Sequence, residues 1–192
     1  MFHGKSTFTV RFHGYGGQGI KTIANLLGKA AIKNGLYAQA FPEFGPERRV
    51  APVKAFCRFS MEPITNRSEI EKPDFIAIMD SNIIKLPEVA LGAGEDTGYL
   101  VQTDLPAKEI KEKYSLIPEY HHIYCIDSQS VVADYQNKVH LSIPVIGKFI
   151  QVTELVPLDT IKEVVHDEFW AKIGEEKTLL AEKALEETYH QI

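Results

Sequence analysis

The beginning of the chain carries two periodic patterns of apolar side chains. Over Thr7–His13, apolar and polar residues alternate, and this period of two predicts a β-strand. Over Ile20–Asn34, apolar residues recur at helical spacing, and Gly35 follows at the position where helices commonly end. We therefore predict a strand that leads directly into a helix.

The same two patterns continue along the chain. Further strands are predicted at Tyr37–Phe41, Val53–Ser60, Phe75–Asp80, Tyr99–Thr103 and Ile123–Asp127. Further helices are predicted at about Ser81–Leu91, Pro106–Tyr114, Ser128–Tyr135, Pro144–Leu155, Leu158–Phe169 and Glu175–His190. This alternation favours an α/β fold with a mostly parallel sheet and helices on both faces. No helix is predicted between Phe41 and Val53, so the strand Val53–Ser60 is expected to pair antiparallel or to follow a wide loop.

The last third of the chain is predicted to be helical throughout. Ser142 is a candidate N-cap for the first of these helices, and Pro144 lies in its first turn. A chain of 192 residues is most naturally one domain. We therefore expect a single α/β domain over residues 1–192, with a helical C-terminal extension over about 143–192.

Composition and charge narrow the classes of function. The chain is 44% hydrophobic and 24% charged, which is ordinary for a globular protein. Its net charge of −5 argues against non-specific binding to nucleic acid or to an anionic membrane. No apolar run approaches the ~20 residues that span a bilayer, and the N-terminus lacks the apolar segment of a signal peptide. We therefore expect a cytoplasmic protein.

The cysteines and histidines show no metal-binding pattern. Cys57 and Cys125 lie far apart, each inside an apolar run, and cannot by themselves assemble an iron–sulfur cluster or a zinc site. We interpret both as buried, inert thiols. The seven histidines are scattered, without a metal-binding helix pattern. No metal is predicted on this chain.

A glycine-rich turn separates the first predicted strand from the first predicted helix. Gly14, Gly16 and Gly19 match the Gly-x-Gly-x-x-Gly fingerprint of dinucleotide sites. Backbone amides and the helix dipole converge on an anion at such a turn, and glycine allows a phosphate to approach closely. The alternative is a structural turn that only lets the helix pack on the strand.

Two absences limit this interpretation. A conventional NAD site has an acidic residue about 20 positions further on, to bind the ribose. Here that position holds Gln39, and the nearest acid, Glu43, lies beyond Pro42. The lysine-containing P-loop pattern of nucleotide triphosphatases is also missing. The turn therefore indicates a phosphate-binding site but does not identify the ligand that carries the phosphate.

Ligands of open parallel sheets bind beyond the carboxyl ends of the strands. Three segments are expected to meet there, namely the glycine turn, the loop Phe41–Pro52 and Asp80-Ser81-Asn82. Asp104 and Asp127 also follow strands, although an aspartate at that position is usually the cap of the next helix.

The loop between the second and third predicted strands is densely charged. Residues 43–49 hold two glutamates and two arginines around a Gly-Pro turn. The planar guanidinium group suits bidentate binding of phosphate or carboxylate. The alternative, which the sequence supports equally, is a solvated loop whose local Glu–Arg ion pairs each contribute ~0–1 kcal/mol to stability.

Together the two motifs resemble one family. Gly-x-Gly-Gly-Gln-Gly opening a helix, followed by Phe-Pro-Glu-x-Gly-Pro-Glu-Arg-Arg and Ala-Pro-Val-Lys-Ala-Phe, is similar to the γ subunits of 2-oxoacid:ferredoxin oxidoreductases. The pyruvate synthase and ketoisovalerate branch is the nearest match. Residues 71–74, 143–149 and 153–156 extend the resemblance over nearly the whole chain.

The resemblance implies a Rossmann-like three-layer sandwich that works within a larger enzyme. Such enzymes interconvert a 2-oxoacid plus coenzyme A with an acyl-CoA plus carbon dioxide, and they pass electrons to ferredoxin. Thiamine diphosphate and magnesium are expected on the α and β subunits, and [4Fe–4S] clusters on β and a ferredoxin-like δ subunit. The γ chain is expected to help complete the coenzyme A and active-site region, without a cofactor of its own and without activity alone.

The resemblance also implies roles for individual residues, none of them catalytic. Gly14, Gly16, Gly17 and Gly19 would form the anion-facing turn with Gln18 and Lys21 beside it, while Glu47, Arg48 and Arg49 would face partner chains or the phosphates of the coenzyme. Val50 stands where the family usually has glycine, and valine does not adopt the left-handed backbone freely.

Two other functions remain open at this level. A free-standing nucleotide-binding or NAD(P)-binding domain would use Arg48 and Arg49 for a 2′-phosphate. A pure assembly scaffold would use the glycine turn only for packing. The sequence does not specify which 2-oxoacid is the substrate, since the reacting carbons are expected to meet residues of other chains.

Overall fold

A computed structural model describes residues 5–43, 52–114 and 122–191. The described residues form six strands, β1 Thr7–Tyr15, β2 Tyr37–Glu43, β3 Pro52–Ser60, β4 Phe75–Ile78, β5 Gly98–Gln102 and β6 Ile123–Ile126. The helices are α1 Ile20–Lys33, α2 Pro87–Ala90, α3 Ala107–Lys113, α4 Ser128–Asp134, α5 Ser142–Thr153, α6 Leu158–Ile173 and α7 Glu175–His190. None of these helices is long and apolar enough to cross a membrane.

The strands form one mixed sheet in the order β2-β3-β1-β4-β5-β6. Strands β1, β4, β5 and β6 pair in parallel, as their alternation with helices predicts. Strand β3 pairs antiparallel with both β1 and β2, which confirms one of the two expectations for this segment. The mostly parallel α/β fold is therefore confirmed, and β3 runs against the other five strands.

Helices α1 and α5 cover one face of the sheet. The Phe149 ring of α5 lies 5.9 Å from the Phe12 ring and 5.4 Å from the Phe75 ring, centroid to centroid. Gly147 allows α5 to approach α7 closely, since a Cβ there would collide with the Leu185 carbonyl. One hydrophobic core joins β1, α1, α5, α6 and α7. Helix α5 thus forms part of the layer on the sheet, while α6 packs on α1 and α7 packs on α5 and α6.

The opposite face is covered in two different ways. Over β4 and β5, a 3-10 helix at Ser81–Lys85 together with α2 and α3 encloses a second apolar core that includes Ile78, Ile83 and Tyr99. Over β1 and β3, irregular chain segments are held by buried arginines. Arg58, only 7% exposed, donates hydrogen bonds to the carbonyls of Asn66 and Ser68.

Three local expectations need correction. The predicted helix Ser81–Leu91 is a 3-10 helix followed by the one-turn helix α2, because Pro87 cannot continue the hydrogen-bonding pattern of a preceding helix. Ser142 is the first residue of α5 and not its N-cap, since Leu141 precedes it with helical backbone angles. Cys125 is only partly buried, whereas Cys57 is fully buried as expected.

Candidate functional site: the glycine turn

The glycine turn connects the carboxyl end of β1 to the amino end of α1, as predicted. Gly17 and Gly19 have φ angles of 94° and 80°, in the left-handed region that residues with a Cβ rarely adopt. Gly19 is the N-cap of α1, so the left-handed angle directs the chain into the helix. Glycine is required at both positions by the backbone itself.

The two ends of the turn are tightly packed. A Cβ on Gly14 would lie 2.9 Å from the Cβ of Met79 and 2.7 Å from the Cδ1 of Ile20. A Cβ on Gly19 would lie 2.5 Å from the Cε1 of His140. These two glycines therefore serve packing, which is the structural alternative raised above.

The centre of the turn is open. An ideal Cβ built on Gly16 or on Gly17 meets no heavy atom within 4 Å in the described part of the chain. Both residues are exposed, and the φ of Gly16 lies outside the left-handed region. Within the described part of the chain, neither packing nor the φ angle thus requires glycine at position 16. A residue without a Cβ also lets another group approach the backbone closely there.

The amino end of α1 beside the open centre has the electrostatics of an anion site. Its first backbone N–H groups have no partner inside the helix, and no described side chain caps them. The first turn contains no acidic residue, and the exposed Lys21 is its second residue. The helix dipole and this lysine both favour a negative group at this position.

Gln18 closes the turn internally. Its Oε1 accepts a hydrogen bond from the Tyr15 backbone N–H at 2.7 Å, and its Nε2 donates to Asp80 Oδ2 at 3.4 Å. Asp80 also caps the 3-10 helix by accepting from the Asn82 N–H. Gln18 therefore holds the turn to the end of β4.

The predicted meeting of segments at the carboxyl edge is found for the glycine turn and Asp80-Ser81-Asn82, since Gln18 donates a hydrogen bond to Asp80. The loop that carries Glu47, Arg48 and Arg49 lies outside the described residues. The strand ends that flank this loop are described, with Glu43 opposite Lys54 and Pro52 opposite Tyr15. The loop therefore starts and ends at the same edge of the sheet as the glycine turn.

A buried polar pair lies directly before the turn. The Nε of Arg11 donates to the Nε2 of His13 at 2.9 Å, and Arg11 Nη2 donates to the carbonyls of Val89 and Leu91. Burial, together with the charges of Arg11 and Lys54, lowers the pKa of His13 to about 3. His13 is therefore neutral at physiological pH. Sequence reasoning assigned it no role, because it matches no motif.

His140 is the second residue that the sequence did not reveal. It lies more than one hundred positions after the turn, yet its ring packs against Gly19. No motif links the two positions. Only the packing of α5 on the sheet beside α1 brings them together.

The position expected for a ribose-binding acid is distant from the turn. Gln39 lies on β2, and β3 separates β2 from β1. The Oε1 of Gln39 accepts from Arg58 Nη1 at 2.7 Å. This strand order does not bring the second strand beside the first, as a conventional dinucleotide site requires.

The thiols are poorly suited to nucleophilic chemistry. Burial raises the pKa of the Cys57 thiol, and it raises the pKa of the Cys125 thiol to about 11.

Asp127 acts as the cap of α4, as its position predicted, because its side chain accepts a hydrogen bond from the Ser130 N–H at 3.0 Å. Among the described residues, no group of three or more metal-ligating side chains occurs.

Comparison with known sequences assigns the family. The sequence profile of the pyruvate ferredoxin/flavodoxin oxidoreductase family matches residues 9–189. The common subunit gamma of the pyruvate/ketoisovalerate oxidoreductases of Pyrococcus furiosus is 34% identical over 179 residues, covering 93% of this chain and 96% of the relative. The pyruvate synthase subunit PorC of Methanothermobacter marburgensis is 35% identical over 181 residues, covering 94% and 97%.

Solved structures agree with this assignment. The pyruvate oxidoreductase subunit PORC of Thermotoga maritima superposes with a TM-score of 0.83 at 28% identity, covering 97% of both chains. The 2-oxoglutarate:ferredoxin oxidoreductase of Magnetococcus marinus has the same fold, with a TM-score of 0.76 at 19% identity, over 96% of this chain and 30% of that one. The chain therefore belongs to the pyruvate ferredoxin/flavodoxin oxidoreductase family, as a gamma subunit of its pyruvate/ketoisovalerate ferredoxin oxidoreductases.

Proposed function

We propose that this subunit helps to form the coenzyme A site of its enzyme complex and carries no redox centre of its own. The complex would convert a 2-oxoacid and coenzyme A into an acyl-CoA and carbon dioxide, with the electrons passing to ferredoxin. The observation that carries the proposal is the open centre of the glycine turn. Among the described residues, no heavy atom lies within 4 Å of a Cβ built on Gly16, and the N-cap Gly19 makes no side-chain cap hydrogen bond at the adjacent amino end of α1.

The chemistry of the turn fits a phosphate of the coenzyme. The first backbone N–H groups of α1, the positive end of the helix dipole and the Lys21 ammonium all favour an anion. The arginines at positions 48 and 49 lie on a loop whose two ends are fixed at the same edge. The related Magnetococcus marinus structure was solved with coenzyme A and succinyl-CoA bound.

We assign the remaining cofactors to partner subunits. Thiamine diphosphate and magnesium would be bound by the α and β subunits, and [4Fe–4S] clusters by β and a ferredoxin-like δ subunit. This division is supported by the side chains present, since this chain has only two cysteines and both have raised pKa values. A four-cysteine cluster cannot be built from them.

The unit that performs this role is proposed to be a single domain over residues 1–192. The hydrophobic core that contains Phe12 and Leu27 also contains Phe149 and Leu185 of the C-terminal helices. We further propose that the assembled complex works in the cytoplasm, where coenzyme A and ferredoxin are available to it.

Reconstitution with and without this chain tests the subunit role. The α, β and δ subunits are assembled anaerobically, and the reduction of ferredoxin by pyruvate, ketoisovalerate and 2-oxoglutarate is measured in turn. We expect activity to appear only when this chain is added, with one of these 2-oxoacids preferred. Full activity in its absence would overturn the proposal.

Arg48→Ala tests the charged loop. Loss of a charge-assisted contact costs ~1.5–3 kcal/mol, so the coenzyme A KM is expected to rise roughly ten- to a hundredfold. The half-reaction that does not use coenzyme A is expected to stay unchanged. Arg67→Ala is the matched control, because Arg67 is exposed and lies with Tyr37 at the opposite edge of the sheet. An unchanged KM for Arg48→Ala would mean that this arginine does not contribute to coenzyme A binding.

A further inference from the structure

His140 meets the amino end of α1 from a distant part of the chain. An ideal Cβ on Gly19 would lie 2.5 Å from the Cε1 and 2.9 Å from the Nδ1 of His140. The same Cβ would lie 2.9 Å from the Cβ of Ser142. The imidazole ring and the serine together therefore occupy the space in front of Gly19, and only a glycine fits beneath them.

The orientation of the His140 ring is fixed on one side. The Ser142 backbone N–H donates to His140 Nδ1 at 3.2 Å, and Ser142 Oγ lies 2.9 Å from the same nitrogen. Ser142 is fully buried, so the group that orients the ring is itself held in place.

The contact links two helices that face the same side of the sheet. Ser142 is the first residue of α5, and α5 is held against β1 by the contact of Phe149 with Phe12. Gly19 is the N-cap of α1. Thus the Gly19 end of the turn is held by His140, while the Tyr15 end is held by Gln18.

We propose that His140 is a positioning residue for the glycine turn. Its ring supports Gly19 in the left-handed conformation, and this fixes the direction of the first N–H groups of α1 toward the open centre at Gly16 and Gly17. The positioning role stands on the geometry of the contact. Its effect on coenzyme A rests on the function proposed above.

Two variants separate the ring contact from the local cap. His140→Ala removes both the ring and the acceptor of the Ser142 N–H. His140→Asn has no ring over Gly19, but its side-chain oxygen can still accept a hydrogen bond from the Ser142 N–H two residues further on. His122→Ala is the matched control, since His122 is exposed and lies at the amino end of β6, away from the turn.

The first readout is hydrogen exchange of the peptide covering residues 15–22 in the assembled complex without coenzyme A. Both His140 variants are expected to exchange faster than wild type in this peptide, whereas His122→Ala is not. Unchanged exchange in both His140 variants would overturn the positioning role. Recovery of wild-type exchange in His140→Asn would also overturn it, because the local cap alone would then be sufficient.

The second readout is the split between KM and kcat. We expect the coenzyme A KM of both His140 variants to rise about tenfold with little change in kcat, since the N–H groups lose their fixed direction. Faster exchange together with an unchanged KM would support the positioning role and contradict the coenzyme A role of the turn. The two proposals therefore fail separately.

Discussion

The two ends of the glycine turn and its centre use the same residue type for different reasons. At the ends, Gly14 and Gly19 lie under neighbouring side chains that leave no room for a Cβ. At the centre, a Cβ on Gly16 or Gly17 would have no described heavy atom near it. The ends are thus explained by the fold of this chain alone. At the centre, Gly17 is required by its left-handed φ, whereas nothing in the described part of the chain requires a glycine at position 16, and this difference separates scaffold from candidate site.

Of the changes that test this comparison, Gly14→Ala is expected to have the largest effect on stability. The new methyl group would overlap Met79 and Ile20, and such overpacking typically costs about 1–3 kcal/mol. Urea unfolding of the chain measures the loss of unfolding free energy. A variant as stable as wild type would remove the distinction between the ends and the centre of the turn.

His13 is buried directly before the tightly packed Gly14, and low pH is expected to lower the stability that this buried histidine contributes. The folded-state pKa of about 3 lies below the unfolded value of about 6.5. The unfolded chain therefore takes up a proton first as the pH falls. Stability from this site is complete above about pH 6.5 and decreases toward pH 3, by about 2 kcal/mol between pH 6.5 and 5.

Unfolding free energies measured at pH 6.5 and 5 check this expectation. The exposed His122→Ala variant should keep the wild-type pH dependence, whereas His13→Gln should lose part of it. Equal pH dependence in wild type and His13→Gln would show that His13 is not a buried neutral group. Direct NMR titration of the His13 ring gives the same information if His13→Gln fails to fold.

A smaller effect is expected for Gln18→Ala. This change removes the acceptor of the Tyr15 N–H and the link to Asp80, and a typical hydrogen bond contributes about 1 kcal/mol. Gln18→Glu keeps the acceptor but brings a second carboxylate toward Asp80. Thermal unfolding should rank the three proteins as wild type, Gln18→Glu and Gln18→Ala, with wild type the most stable. A Gln18→Ala variant of wild-type stability would contradict a closing role for this side chain.

The smallest stability change is expected for Gly16→Ala. The methyl group enters open space and the backbone angle is ordinary, so the unfolding free energy should stay within about 0.5 kcal/mol of wild type. The comparison with Gly14→Ala is direct, because the two residues lie in the same turn and receive the same substitution. Strong destabilisation by Gly16→Ala would mean that the centre is also packed.

Local patterns predicted most of the elements of the fold but not their arrangement. Alternation identified β1, and helical spacing identified α1 to within one residue at its end. The insertion of β3 between β1 and β2 was not predictable, because pairing between strands depends on contacts far apart in sequence. The motif likewise located the turn but not its two kinds of glycine. The contact of His140 with Gly19 arises only from the packing of α5.

The most direct test of the coenzyme A role uses Gly16→Ala in the assembled complex. Steady-state kinetics with coenzyme A varied would be compared for wild type and the variant, after equal stability and subunit content have been verified. A KM for coenzyme A that rises about tenfold or more with unchanged 2-oxoacid KM is the predicted result. Wild-type kinetics would mean that nothing approaches the open centre during turnover, and would leave the glycine turn as part of a scaffold.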